Sequence, residues 1–65
     1  MFNYNKLKKL RKERGYLQKD LARILNVSPS TIAMYEVGKT QPSPDILSSM
    51  SILFKVSIKL ILYIV

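Results

Sequence analysis

The chain contains no cysteine and no histidine. Disulfides, thiolate or imidazole metal sites, and catalysis by either residue are therefore excluded. Acids are scarce too: Glu13, Asp20, Glu36 and Asp45 stand alone against eleven lysines and arginines. They are scattered, with no metal-ligand spacing and no nucleophile paired with a base, so neither a metal, nor a cofactor, nor an enzyme active site is expected. No apolar run reaches the roughly 20 residues that a helix needs to span a bilayer. The opening MFNYNKLKKLRKERG lacks the continuous apolar core and small-residue cleavage site of a secretory signal and is read as part of the fold. Lack of cysteine is compatible with a cytoplasmic setting.

What is present is a small, basic and moderately apolar chain. Its 65 residues suffice for one domain, 1–65, with a modest buried fraction that packing against a second copy would enlarge. Hydrophobic residues make up 48% of it, enough for a compact helical core. A formal charge of +7 favours a polyanionic partner, either nucleic acid or an anionic membrane surface.

Local signals divide the chain into helices. From Asn5 to Arg14, Leu7 and Leu10 share a narrow stripe with Tyr4 and Arg11, while Lys6, Lys8, Lys9, Lys12 and Arg14 occupy the remainder. Asn3 or Asn5 can cap this segment and Gly15 can end it. Leu21, Ala22 and Leu25 recur at helical spacing opposite Lys19, Asp20 and Arg23, which predicts a short helix from Gln18 to Leu25. Leu17, just before it, cannot cap; either this helix start frays or another group caps it. Asn26 accepts the left-handed conformation and allows a sharp turn. Ser28 then caps a helix with Pro29 at its first position, stapled by Val27 and Ile32, running to about Val37 and closed by Gly38. Ser43-Pro44-Asp45 repeats that start signal for a further helix bearing Leu47, Met50 and Phe54.

Two short helices joined by a tight turn over Gln18 to Gly38 look like a helix-turn-helix, which lays its second helix in the DNA major groove. The whole pattern resembles the Cro/Xre-type domains of phage repressors and small bacterial regulators. The resemblance rests on Leu7, Leu10 and Arg11, then Gln18, Leu21 and Ala22, then Val27 and Ser28, Ile32, Glu36 to Lys39, Pro42-Ser43 and Val56-Ser57. It implies an all-α, lambda-repressor-like bundle of five short helices, a cytoplasmic or nucleoid location, and double-stranded DNA as partner. The plain alternative is a helical bundle whose turn merely carries Ser-Pro and Gly.

The resemblance also implies roles for single residues. It pairs Arg11 with Glu36 as a buried structural ion pair; the alternative for Arg11 is an exposed phosphate contact. Gln18 would touch the DNA backbone and brace the second motif helix. Ile32 and Tyr35 have core spacing, leaving Pro29, Ser30, Thr31, Ala33, Met34 and Val37 outward. Pro29, Ser30, Ala33 and Met34 are the expected base-facing set, and Gln18, Lys19, Thr31, Lys39 and Thr40 the expected backbone contacts. The outward set lacks Arg, Asn and Gln, the side chains that bond bases bidentately, so hydroxyl and thymine-methyl contacts with modest discrimination are expected. Met34 could instead be a core or dimer contact, and Ser30 and Thr31 could meet only water.

Besides Leu17, which stands where many family members place a capping Ser or Thr, two further features depart from the family pattern. Lys55 stands where the family has glycine, so it is either a strained left-handed residue or the helix runs on. After Val56-Ser57 the segment Ile58 to Val65 is apolar almost all round, with Lys59 where the family commonly has an acid. Such a segment must bury more than one face, so Leu60, Tyr63 and Ile64 are expected to contact a second chain in a homodimer. Its β-branched content also allows a strand.

The expected function is a sequence-specific transcriptional regulator of repressor type, acting as a dimer. One alternative is an interaction module of the same fold with weak non-specific DNA binding. A cationic membrane-active peptide is disfavoured, because most basic residues lie far in sequence from the apolar tail.

Overall fold

The computed structural model describes residues 2–57 and residue 59, and among these it contains four helices and no strand. Helix α1 spans Tyr4–Glu13, α2 Gln18–Leu25, α3 Pro29–Glu36 and α4 Pro44–Phe54. Four rather than five helices are therefore present among the described residues. Of the expected fifth, only Lys59, which is helical, is described; the expected dimer contacts Leu60, Tyr63 and Ile64 fall outside the described residues.

Each helix start satisfies otherwise unpaired amide groups through a short polar side chain. Asn3 Oδ1 accepts from Lys6 N–H at 3.1 Å, Ser28 Oγ from Thr31 N–H at 3.2 Å, and Ser43 Oγ from Ile46 N–H at 3.3 Å. At α2, where Leu17 has no acceptor, Asp20 caps in the reverse direction. Its Oδ2 accepts the Leu17 N–H at 2.9 Å, which is one half of a capping box, and its charge lies at the positive end of the dipole.

All four helices end alike. A left-handed residue follows each, Gly15, Asn26, Gly38 and Lys55, with φ of 76°, 58°, 79° and 55°. The next amide reaches back across the last turn in every case: Tyr16 to Arg11, Val27 to Ala22, Lys39 to Met34 and Val56 to Ser51 carbonyls. Glycine and asparagine suit that conformation, whereas lysine carries a steric cost. Ser51 Oγ, 2.6 Å from the Val56 carbonyl, and Arg14 Nη2, 2.7 Å from the Phe54 carbonyl, reinforce this last turn. Substituting Lys55→Gly is expected to raise stability by about 0.5–1 kcal/mol, the relieved strain less the extra freedom of the unfolded chain, measurable as a higher urea midpoint.

The core joins all four helices. Leu7 of α1, Leu21 of α2, Ile32 of α3, and Met50 and Phe54 of α4 are fully buried. Phe2, ahead of α1, also packs into this cluster, and Tyr4, Tyr16 and Val27 cover its edges. Helix α3 is held mainly by α2 and then by α1. With Ile32 and Tyr35 buried there, its opposite face is left outward.

Candidate nucleic-acid interface

The position of α3 is fixed by a buried polar cluster. Arg11 Nε donates to Glu36 Oε2 at 2.6 Å and Arg11 Nη2 to Glu36 Oε1 at 3.1 Å, a two-point fork-to-carboxylate contact. The third guanidinium nitrogen, Nη1, donates to the Tyr16 carbonyl at 2.7 Å. Gln18 Nε2 donates to Glu36 Oε1 at 3.1 Å. Arg11 and Glu36 are only 7% and 5% exposed, so both charges are withdrawn from water and depend on one another. One carboxylate thus ties α1, the turn after it and the start of α2 to the end of α3. Gln18 gives one amide hydrogen to this cluster, and its nitrogen carries a second.

The exit from α3 is equally constrained. A Cβ added to Gly38 would lie 2.8 Å from Tyr4 Cε1, so the Tyr4 ring is seated against the glycine backbone. Lys39 and Thr40 leave from this fixed point, Lys39 exposed and Thr40 half-buried.

At the other end of α3 three hydroxyls gather. Ser28 Oγ lies 3.1 Å from Ser30 Oγ and 2.8 Å from Thr31 Oγ1. Ser30 and Pro29 are exposed and Thr31 half-buried. Farther along the same face come Ala33, half-buried, then Met34 at 40% and Val37 at 62% exposure. The outward surface of α3 is therefore hydroxyl-bearing at its start and apolar beyond.

Charge is unevenly spread around this surface. Among the described residues, ion pairs take up Arg11 with Glu36 and, loosely at 3.4 Å, Arg23 with Asp20. Lys19, exposed at the start of α2, and Lys39, just beyond α3, are the cations on the helix-turn-helix itself that remain outside those pairs. Lys8, Lys9 and Lys12 lie exposed on α1.

Several contributors were not evident from sequence. Tyr4 against Gly38, Arg14 on the Phe54 carbonyl, and Phe2 in the core join residues far apart in the chain, where no periodic pattern points from one to the other. The Asp20 cap did have a signal, an acid three residues after the last extended residue.

The helix-turn-helix family model matches residues 7–61, and the chain belongs to that family, of Cro/C1 type. Solved structures agree. A transcriptional regulator from Listeria innocua is 31% identical over the whole of this chain, with a TM-score of 0.86; this chain spans 63% of that protein's length. SinR, described as a master regulator for biofilm formation and solved in complex with DNA, is 30% identical, with a TM-score of 0.75, over 86% of this chain and 90% of that one. The P22 c2 repressor protein, solved with a synthetic operator, shares the fold at a TM-score of 0.83 and 22% identity, over 91% of this chain and 89% of its own. No protein of curated function matches the sequence. No helix among the described residues is long and apolar enough to cross a membrane.

Proposed function

We propose that the chain is a DNA-binding transcriptional regulator, acting as a repressor, that sets α3 in the major groove. The observation that carries this reading is the outward face of α3, held by the Arg11–Glu36–Gln18 cluster at one end and by the Tyr4–Gly38 contact at its exit. Pro29, Ser30, Ala33 and Met34 face base edges, with Ser30 able to donate or accept and the others offering only apolar contact. Gln18, Lys19, Thr31, Lys39 and Thr40 meet phosphates and fix the register. The second amide hydrogen of Gln18 makes that contact while the first stays on Glu36. SinR, 30% identical and solved in complex with DNA, supports a duplex as partner, and the P22 c2 repressor shares the fold.

The 65 residues act as one domain, and two copies pair through the C-terminal segment around Leu60, Tyr63 and Ile64. Two features favour pairing there. No charged residue lies between Asp45 and Lys55, and Ile52 is 78% exposed on α4, which leaves an uncharged apolar stretch there, flanked in sequence by the exposed Lys55 and Lys59. A second reading is an interaction module of the same fold, favoured by the apolar character of the α3 face.

Duplex titrations at several salt concentrations test the DNA reading. Each phosphate contact contributes about 0.9 to the slope of log K against log salt. Lys39→Gln removes one contact per copy, so it is expected to lower the slope by about one for each bound copy, about two for a dimer, and to weaken binding to all sequences alike. An unchanged slope would remove Lys39 from the interface, and absence of duplex binding by the parent chain would favour the interaction module.

A further inference from the structure

Ser30, Ala33 and Met34 of α3 and Val37, its C-cap, fall at i, i+3, i+4 and i+7 and form one stripe. Past the single hydroxyl the stripe is apolar, and its two larger members are 40% and 62% exposed. Lys19 and Lys39, both exposed, stand on the helix-turn-helix outside the stripe. That arrangement of cations beside an uncharged strip is complementary to a groove, where phosphates form the walls and base edges the floor.

The chemistry of the floor then narrows what the strip can recognise. Nearly every group on a major-groove base edge is a hydrogen-bond donor or acceptor, and Ala33, Met34 and Val37 can satisfy none of them. The exception is the methyl on pyrimidine C5, which thymine always carries. Cytosine carries the same group at the same ring position once it is methylated there. A surface that gains affinity by covering that methyl responds to it on either base.

We infer that this chain reads pyrimidine C5-methyl groups, so that 5-methylcytosine in duplex DNA is a ligand of the α3 strip as well as thymine, with Met34 and Val37 setting the preference. The inference rests on the DNA-binding reading above and adds to it a sensitivity to cytosine methylation. Covering one methyl is worth about a fourfold gain in affinity, from the burial of one carbon's apolar surface.

The test uses the tightest-binding duplex recovered from a random pool, prepared in four forms. At each thymine in turn the base is kept, replaced by uracil, replaced by cytosine, or replaced by 5-methylcytosine, with guanine placed opposite the two cytosine forms so that they differ from one another only by the methyl. Uracil is expected to weaken binding about fourfold at contacted positions, and methylation of the cytosine form to restore about the same factor. Met34→Gln and Val37→Asn change exposed side chains and leave the core intact, and at least one of them should erase the difference between methylated and unmethylated forms. Equal binding of the thymine and uracil duplexes would overturn methyl reading while leaving DNA binding in place. Methyl discrimination that survives unchanged in both variants would overturn the assignment to Met34 and Val37. Failure of every duplex to bind would overturn the DNA-binding reading together with this one.

Discussion

Replacing Glu36 by alanine is expected to lower the unfolding free energy by about 3–5 kcal/mol, a large share of the stability available to a small domain. The effect does not follow from a strong attraction in the native pair, since burying two charges costs nearly as much as their contact returns. It follows from what is left behind. Without Glu36, the Arg11 guanidinium stays only 7% exposed with Nε and Nη2 stripped of their partner, and Gln18 Nε2 loses its acceptor. Arg11 then either remains as an unpaired buried charge or swings out, unpacking α1 from α3 and releasing the Tyr16 carbonyl. Urea unfolding measures the loss directly. Replacing both partners, Arg11→Met with Glu36→Leu, should recover most of it, because no buried charge then lacks a counterpart. A single-substitution loss below about 1 kcal/mol would place the pair among ordinary surface contacts.

Gly38→Ala is the second large effect, at about 2–3 kcal/mol, or roughly 10–20 °C in the unfolding midpoint of a domain this size. Two costs combine. An alanine at φ of 79° pays for the left-handed conformation, and its Cβ would stand 2.8 and 2.9 Å from Tyr4 Cε1 and Cδ1, so the ring must move. The costs separate in a double-substitution cycle. With Tyr4→Ala already present, Gly38→Ala should cost only the backbone part, about 1–2 kcal/mol, and the difference between the two backgrounds is the steric part. Gly15 is the internal control: it has a similar φ, 76°, but a Cβ there meets nothing within 4 Å. Gly15→Ala should therefore cost the backbone part alone.

The boundaries of α2 and α3 were legible because their signals are local. Ser28-Pro29 starts α3, Asn26 and Gly38 close the two helices, and each motif lies within a few residues of the structure that it causes. Lys55 was legible as a left-handed residue or a continuing helix but not as one of the two. The choice falls to contacts that local pattern does not contain, the bonds from Ser51 and Arg14 that hold the end of α4. The Tyr4–Gly38 contact was illegible for the same reason, and so was the burial of Phe2 at the very start of the chain.

The outward face of α3 posed a different difficulty. Ile32 and Tyr35 are apolar because they enter the core, while Met34 and Val37 are apolar on the exposed side, so hydrophobicity alone barely separates the two faces. Spacing from the buried pair assigned the outward set, and Val37, which follows the last residue of α3 and is 62% exposed, received no role from sequence beyond membership of it. Five helices were expected because the family resemblance implies a last helix after Val56-Ser57. Four are present among the described residues, and that segment lies almost wholly outside them.

The measurement to make first is retention of a random duplex library by the intact chain at near-physiological salt, followed by sequencing of what is kept. A regulator that sets α3 in the groove as one half of a dimer predicts an enriched inverted repeat, with half-sites about one helical turn apart and thymine, not guanine, at the positions under Ala33 and Met34. Retention without any enriched sequence would mean that charge alone holds the DNA, and would contradict base reading by α3.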